Sequence, residues 1–209
     1  MLKIAVLVSG DGSNLQAIID AIAKKEINAE IVKVISSRPG VYAMERAQKA
    51  NIPTELVDRK QFSSDEEFDK ALLERLEGTQ VELIVLAGFL RVFGKEFVEV
   101  YRNRIINVHP SLIPSFCGKG LYGPKVHRAA IEAGVRVSGA TVFFVDEGCD
   151  TGPIMLQKAV CVKQCDDAVS LQKKVLLAEW VLLPKAIGLI ADGHVSVKHG
   201  RVIIREKRV

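Results

Sequence analysis

A doubly wound α/β fold built on a mostly parallel sheet is predicted by three features of this chain. Short β-rich runs alternate with segments whose apolar residues recur at helical spacing. One run, Val81 to Ala87, is apolar almost throughout, as a strand covered on both faces must be. A glycine-containing loop joins the first strand directly to the first helix. With 209 residues, 48% apolar content and no repeat, low-complexity tract or linker, these features predict a single Rossmann-like domain over 1–209, with antiparallel strands toward its C-terminal side.

Ile4 to Val8 forms the first strand and ends in Ser9-Gly10-Asp11-Gly12-Ser13-Asn14, after which Leu15, Ile18, Ile19 and Ile22 mark a helix. Glycines let the backbone turn sharply, Ser13 or Asn14 can cap the helix, and the free N–H groups of its first turn suit a phosphate. The loop lacks the Gly-Lys-Ser/Thr of a Walker motif, and Leu15 replaces the third glycine of a dinucleotide fingerprint. Taken alone, a turn that only connects strand to helix is the competing reading. Ile31 to Ser36 is the second strand, Val41 to Asn51 a helix broken before Pro53, and Glu55 to Val57 a short third strand. Phe68, Leu72, Leu73 and Leu76 define the next helix, which feeds the central strand at Val81 to Ala87. Gly88 to Phe93 is an apolar loop, read on spacing alone as core packing with Arg91 pointing outward.

Arg104-Ile105-Ile106 then leads into Asn107-Val108-His109-Pro110-Ser111-Leu112-Ile113-Pro114. Alternate residues of a strand share a side, so Asn107 and His109 project together. Pro110 cannot donate a ladder hydrogen bond, which places the pair at the strand's carboxyl end, where open α/β sheets hold their ligands. A carboxamide beside a titratable imidazole suits an active-site edge; the blander reading makes Asn107 a turn cap and His109 a satisfied, half-buried histidine. Ser115 to Pro124 reads as a mobile loop beside the pair, and Val126 to Ala133 as a helix. Gly139 to Val145 and Ile154 to Val162 are strands flanking the acidic turn Asp146 to Pro153. Asp150 is by default an Asx-turn residue, and only proximity to His109 would change its role. A long helix runs from Ala168 to about Leu183 with Pro184 near its end, and Val195 to Val197 pairs with Val202 to Ile204 in a terminal hairpin.

Composition narrows the partners. The four cysteines, Cys117, Cys149, Cys161 and Cys165, have no C-x-x-C spacing, so neither a zinc site nor a disulfide framework is expected and the thiols should be reduced. No apolar run reaches the roughly eighteen residues that span a bilayer, and the opening run is too short for a signal peptide, so a cytoplasmic protein without a membrane partner is expected. The basic stretch from Lys198 to Arg208 is too diffuse to argue for nucleic acid, whereas a net charge of +4 suits an anionic small substrate.

Together, Gly10 to Ile18, Leu86-Ala87-Gly88-Phe89-Leu90-Arg91, Ile106 to Pro114 and Asp150-Thr151-Gly152-Pro153 strongly resemble the phosphoribosylglycinamide formyltransferase family, over nearly the whole chain. The Asn-x-His-Pro-Ser-Leu-x-Pro segment and the later Asp are shared by the wider group of formyl-folate transferases and hydrolases. The glycine loop followed by Ser-Asn-Leu-Gln-Ala-Ile points to the glycinamide branch. Relatives acting on methionyl-tRNA, or hydrolysing formyltetrahydrofolate, carry an additional domain for which this length leaves no room. The resemblance implies that Gly12, Ser13 and Asn14 bind the phosphoribosyl group and that Glu179 approaches its ribose. It implies that Leu90, Arg91, Val92, Phe93, Asn107 and the turn Asp146, Glu147, Gly148, Cys149 and Asp150 hold 10-formyltetrahydrofolate. Asn107, His109 and Asp150 would be the catalytic group. Two positions depart from the pattern: Asp65 stands where many members have an arginine near the folate's glutamate tail, and Phe143 where they have histidine.

The implied reaction asks for these residue types. An amine attacking a formyl carbon generates an oxyanion, which an Asn107 N–H or the His109 imidazolium can stabilise. A proton must leave the attacking nitrogen and reach the departing folate nitrogen, a task for His109 tuned by Asp150. No metal is required. The expected partners are the anionic ribonucleotide and the folate, bound by a monomer or weak homodimer. Two other classes compete: a nucleotide-binding oxidoreductase, disfavoured by Leu15 and by Ser36-Ser37-Arg38 where a ribose-binding acid would follow the second strand, and a non-catalytic folate-binding relative, which predicts loss of one catalytic group.

Overall fold

The computed structural model describes residues 1–205, so the end of the basic stretch read from Lys198 to Arg208 lies outside the described residues. The elements are β1 (Leu2–Val8), α1 (Ser13–Ala23), β2 (Ala29–Ser36), α2 (Tyr42–Lys49), β3 (Thr54–Leu56), α3 (Asp65–Leu76), β4 (Leu83–Leu86), α4 (Lys95–Val100), β5 (Ile105–His109), α5 (Pro124–Glu132), β6 (Val137–Phe144), β7 (Ile154–Cys161), α6 (Ala168–Ala191), β8 (Val195–Lys198) and β9 (Arg201–Ile204). Seven strands form one sheet in the order β3-β2-β1-β4-β5-β6-β7, and β8 and β9 pair separately as the expected hairpin. The pairs from β3 through β5 are parallel. β6 and β7 run antiparallel to their neighbours, which is the predicted C-terminal excursion.

The pleat of β1 divides the core. Ile4, Val6 and Val8 face a cluster that includes Leu15 and Ile18 of α1 and Val175 and Leu183 of α6. Ala5 and Leu7 face a second cluster holding Phe68 and Leu72 of α3 and Phe97 of α4. A strand buried on both sides has no polar face to show, which is why β1 and β4 read as unbroken apolar runs. The second cluster contains a column of aromatic rings, with Phe89 and Phe93 stacked at 5.8 Å and Phe93 and Phe97 at 4.1 Å between centroids. Helix α4 was not anticipated from the sequence; it is only six residues long. One and a half turns carry too little periodicity to stand out.

The long C-terminal helix differs from its expected extent. Pro184 does not end α6, which continues to Ala191. A proline in a helix interior removes one backbone hydrogen bond and costs about 3 kcal/mol. Here Leu182, Leu183, Ala186 and Ile187 are all buried, so the apolar face on both sides of the proline outweighs the lost bond. The start of the helix is fixed by a capping box in which Asp167 accepts from the Ser170 backbone and Ser170 accepts from the Asp167 backbone.

The winding of the sheet changes direction between β1 and β4. At such a switch point the loops leaving the two strands diverge to opposite faces and open a crevice at their carboxyl ends. The loops after β1, β4 and β5 all reach one cavity there.

Candidate active site

At one end of this cavity lies the Gly10–Asn14 loop. Gly12 has φ +79°, and a Cβ there would stand 2.6 Å from the Ala43 Cβ, so the turn that launches α1 accepts only glycine. No side chain caps the N-terminus of α1, which leaves its first N–H groups available to an anion. Asn14 is 7% exposed and donates from Nδ2 to Glu179 Oε2 at 2.6 Å, while its Oδ1 has no partner. Glu179 projects from α6, and burial lifts its carboxyl from 4.5 to about 7 against the opposing hydrogen bond from Asn14. An unsatisfied buried carbonyl beside a carboxyl that titrates near neutrality suits a ligand rich in hydroxyl groups.

Asn107 and His109 line the same cavity from the carboxyl end of β5, as strand alternation predicts. His109 is 4% exposed, with Nδ1 3.6 Å from Asp150 Oδ2, an ion-pair distance too long for a hydrogen bond. Its Nε2 lies 3.0 Å from the Phe116 carbonyl oxygen, which can only accept, so Nε2 carries the proton in this contact. Asp150 is therefore not a solvated turn residue. Its Oδ2 also accepts from the Gly118 backbone at 2.9 Å, and its backbone is left-handed at φ +59°, a conformation that aspartate tolerates better than most residues. The ordinary turn role falls to Asp146, which accepts from Gly148 N at 3.0 Å and Thr151 Oγ1 at 2.7 Å. Gly152 closes this turn against β6, where a Cβ would meet the Phe144 carbonyl oxygen at 1.8 Å.

A buried network fixes the turn after His109. Thr141 Oγ1 donates to the Ser111 carbonyl at 2.7 Å and accepts from Ile113 N at 3.1 Å and Gln157 Nε2 at 3.0 Å. β6 and β7 thus position a histidine on β5 through satisfied polar contacts. Thiol chemistry has no support in this site: burial and the Asp150 carboxylate raise both Cys117 and Cys149, which keeps them protonated.

Of the residues implicated by sequence, Gly12, Ser13, Asn14, Leu90, Arg91, Val92, Asn107, His109, Gly148, Cys149, Asp150 and Glu179 all border one cavity of about 570 Å³. That volume falls within the usual range for small-molecule sites. Phe93, Asp146 and Glu147 do not reach its wall. Phe93 is 2% exposed, its ring held in the aromatic column. Glu147 stands at the edge of the turn, 4.0 Å from Arg102. Arg91 corrects the reading from spacing, because its side chain does not point outward. It is 10% exposed, with Nη1 on Asp65 Oδ1 at 2.8 Å and Nη2 on Asp69 Oδ1 at 3.1 Å. A desolvated guanidinium needs such partners, and both sit on α3, too far along the chain for local spacing to reveal. Arg91 in turn leaves Leu90 and Val92 as the exposed apolar side chains of the wall, at 51% and 44%.

Sequence reasoning missed His127, which sits on the apolar face of α5, 2% exposed and bordering the cavity, with Nδ1 unpartnered. Burial, reinforced by His109, lowers it from 6.5 to about 4, so it is neutral at physiological pH. A histidine between Val126 and Ala130 on a buried helix face was the available signal. Phe143 lies opposite Asn107 in the β5–β6 register, 2% exposed on the cavity wall. Among the described residues, no three His, Cys, Asp or Glu side chains form a group that could hold a metal, and no helix is long and apolar enough to cross a membrane.

Residues 2–187 match the family model described as formyl transferase. The trifunctional purine biosynthetic protein adenosine-3 of Gallus gallus is 45% identical over 94% of this chain, which spans 19% of that protein's length. The phosphoribosylglycinamide formyltransferase of Haemophilus influenzae is 38% identical, over 95% of this chain and 91% of that protein. Among solved structures, glycinamide ribonucleotide transformylase 1 from Symbiobacterium toebii superposes with a TM-score of 0.93 at 40% identity, covering 99% of this chain and 95% of that one.

Proposed function

The chain belongs to the formyl transferase family, and from that premise we propose that it transfers the formyl group of 10-formyltetrahydrofolate to the amine of phosphoribosylglycinamide, a step of purine biosynthesis. The observation that carries this reading is the continuity of one cavity from the Gly12–Asn14 helix start to Asn107, His109 and Asp150. An anion seat and a proton-handling centre open onto one crevice, which a reaction between a phosphorylated amine and a second substrate requires.

In this reading the folate is a substrate that supplies an activated formyl group, and Leu90, Val92 and Phe143 offer it an apolar wall. Glu179 and Asn14 receive the ribose hydroxyls. Asn107 is half-buried on the cavity wall, and its N–H faces the oxygen that gains negative charge when the amine adds. With its proton shifted to Nδ1, on the Asp150 side, His109 frees Nε2 from the Phe116 carbonyl to take the proton shed by the attacking nitrogen and return it to the leaving nitrogen. Asp150 orients the ring and balances its positive charge from 3.6 Å. His127, held neutral, borders the same space without adding charge. A cytoplasmic location fits four free cysteines.

The test is incubation with 10-formyltetrahydrofolate in the presence and absence of phosphoribosylglycinamide. Deformylation that depends on the ribonucleotide supports the proposal. Turnover without it indicates a hydrolase, and NAD(P)H binding without turnover indicates the oxidoreductase reading.

A further inference from the structure

Beside the Gly10–Asn14 loop stands a cation that neither the motif nor the mechanism uses. Arg38 follows the carboxyl end of β2 and borders the cavity together with the Gly10–Asn14 loop. Its backbone is fixed there: Ser37 N donates to the Val8 carbonyl at 3.1 Å, the Ser9 and Ser37 hydroxyls are 2.7 Å apart, and Arg38 N donates to Ser36 Oγ at 3.1 Å. The ion pairs among the described residues leave its guanidinium without a carboxylate, and the side chain is exposed.

Lys119, on the loop after β5, also borders the cavity without an ion pair among the described residues; the charges nearer the Gly10–Asn14 loop and α6 are committed. Arg46 holds Asp11 at 3.2 Å and neutralises the loop's own carboxylate. Lys174 of α6 is engaged by Asp166. The positions of α6 that border the cavity are Gln172, Leu176 and Glu179, none of them cationic. Arg91 is tied to α3 by two carboxylates. A phosphate at the start of α1 would gain partial positive charge from the helix, but a dianion in a cleft calls for a full countercharge as well. The unpartnered Asn14 Oδ1, in a side chain 7% exposed, independently shows that this end of the cavity is built for a ligand.

We infer that Arg38 is a phosphate-binding residue of this chain, closing over the phosphoryl group from β2 while the N–H groups of α1 hold it from below. The inference rests on the proposed placement of the ribonucleotide. It makes Arg38 a determinant of specificity for phosphorylated over unphosphorylated glycinamide ribosides, and not a participant in proton transfer.

Two measurements separate its fate from that of the proposed function. In steady-state kinetics, Arg38→Gln should raise the KM for phosphoribosylglycinamide by about tenfold to a hundredfold, the usual cost of a charge-assisted hydrogen bond. The KM for 10-formyltetrahydrofolate should hold, and kcat should fall far less than KM rises. Arg38→Lys should recover most of the loss. Calorimetric titration with ribose 5-phosphate supplies a readout that needs no turnover: the parent protein binds it, and Arg38→Gln binds it more weakly by a similar factor. Equal binding by parent and variant overturns the inference even if formyl transfer is confirmed, as does a parent that binds no ribose 5-phosphate. If no formyl transfer is found, the proposed function fails, while the ribose 5-phosphate comparison still decides the role of Arg38.

Discussion

Glu179→Gln removes a charge from the best-buried carboxyl in the site while keeping its volume and one acceptor for Asn14. In the parent, Glu179 is 6% exposed and receives a single hydrogen bond, from Asn14 Nδ2 at 2.6 Å. Burial raises the carboxyl from 4.5 to about 7, so the folded state binds this proton more tightly than the unfolded chain does. The stability from this group is fully present below pH 4.5 and is lost as pH rises through about 7. At about 1.4 kcal/mol per pH unit, the loss above pH 7 approaches ~3 kcal/mol. The glutamine variant has no such slope. Urea unfolding of both proteins at pH 5 and pH 8 isolates the effect, because other titrating groups cancel in the difference. The variant should gain on the parent by up to ~3 kcal/mol between the two values. The same difference at both pH values would refute the account of Glu179 as a destabilised, ligand-directed carboxylate. Its ionised form is a liability in the empty cavity, and in the proposed placement of the ribonucleotide the ribose hydroxyls would satisfy it.

Asn14→Leu should raise the KM for phosphoribosylglycinamide and leave that for the folate in place; movement of the folate KM alone would reverse the assignment of the two ends of the cavity. At the other end, Asp65 Oδ1 accepts from Arg59 Nη2 at 2.6 Å and Arg91 Nη1 at 2.8 Å, and these bonds hold its carboxyl below the usual range. Both guanidiniums that could meet a glutamate tail are thus already partnered, so mono- and polyglutamylated folates should give equal KM values, and a large preference for the longer tail would sink this reading. His127 is lowered from 6.5 to about 4, so its contribution is present above pH 6.5 and lost as pH falls through about 4. His127→Leu should therefore lose less stability than the parent on acidification across that window, measured by thermal unfolding; parallel losses would place the acid sensitivity elsewhere.

The strands and helices that run through the core were legible because their apolar pattern is imposed by what covers them. β1 and β4 are buried on both faces and read as unbroken apolar runs; α1 and α3 show the stripe that faces the sheet. Asn107 and His109 were legible for a local reason, since strand alternation and the following Pro110 fix both their side and their place. Contacts between distant segments were not. That Arg91 turns inward depends on Asp69, and that Asp150 faces His109 depends on the Gly118 backbone, neither of which leaves a periodic trace. The role proposed for Glu179 rests on family resemblance; only the fold shows that it is buried against Asn14. Pro184 misled because the penalty for an interior proline is local, whereas the packing that offsets it comes from residues on both sides.

In the proposed reaction Asn107, His109 and Asp150 form the formyl-transfer centre, with His109 moving the proton and Asn107 stabilising the oxyanion. The most direct measurement is kcat for ribonucleotide-dependent deformylation in His109→Ala and Asn107→Ala, each checked for a cooperative unfolding transition like the parent's. Removing one preorganised donor of this kind typically costs about 10²–10³ in kcat, and both variants should lose at least that much while remaining folded. Folded variants that keep kcat within a few-fold of the parent would contradict the account and return Asn107 and His109 to a structural role at the end of β5.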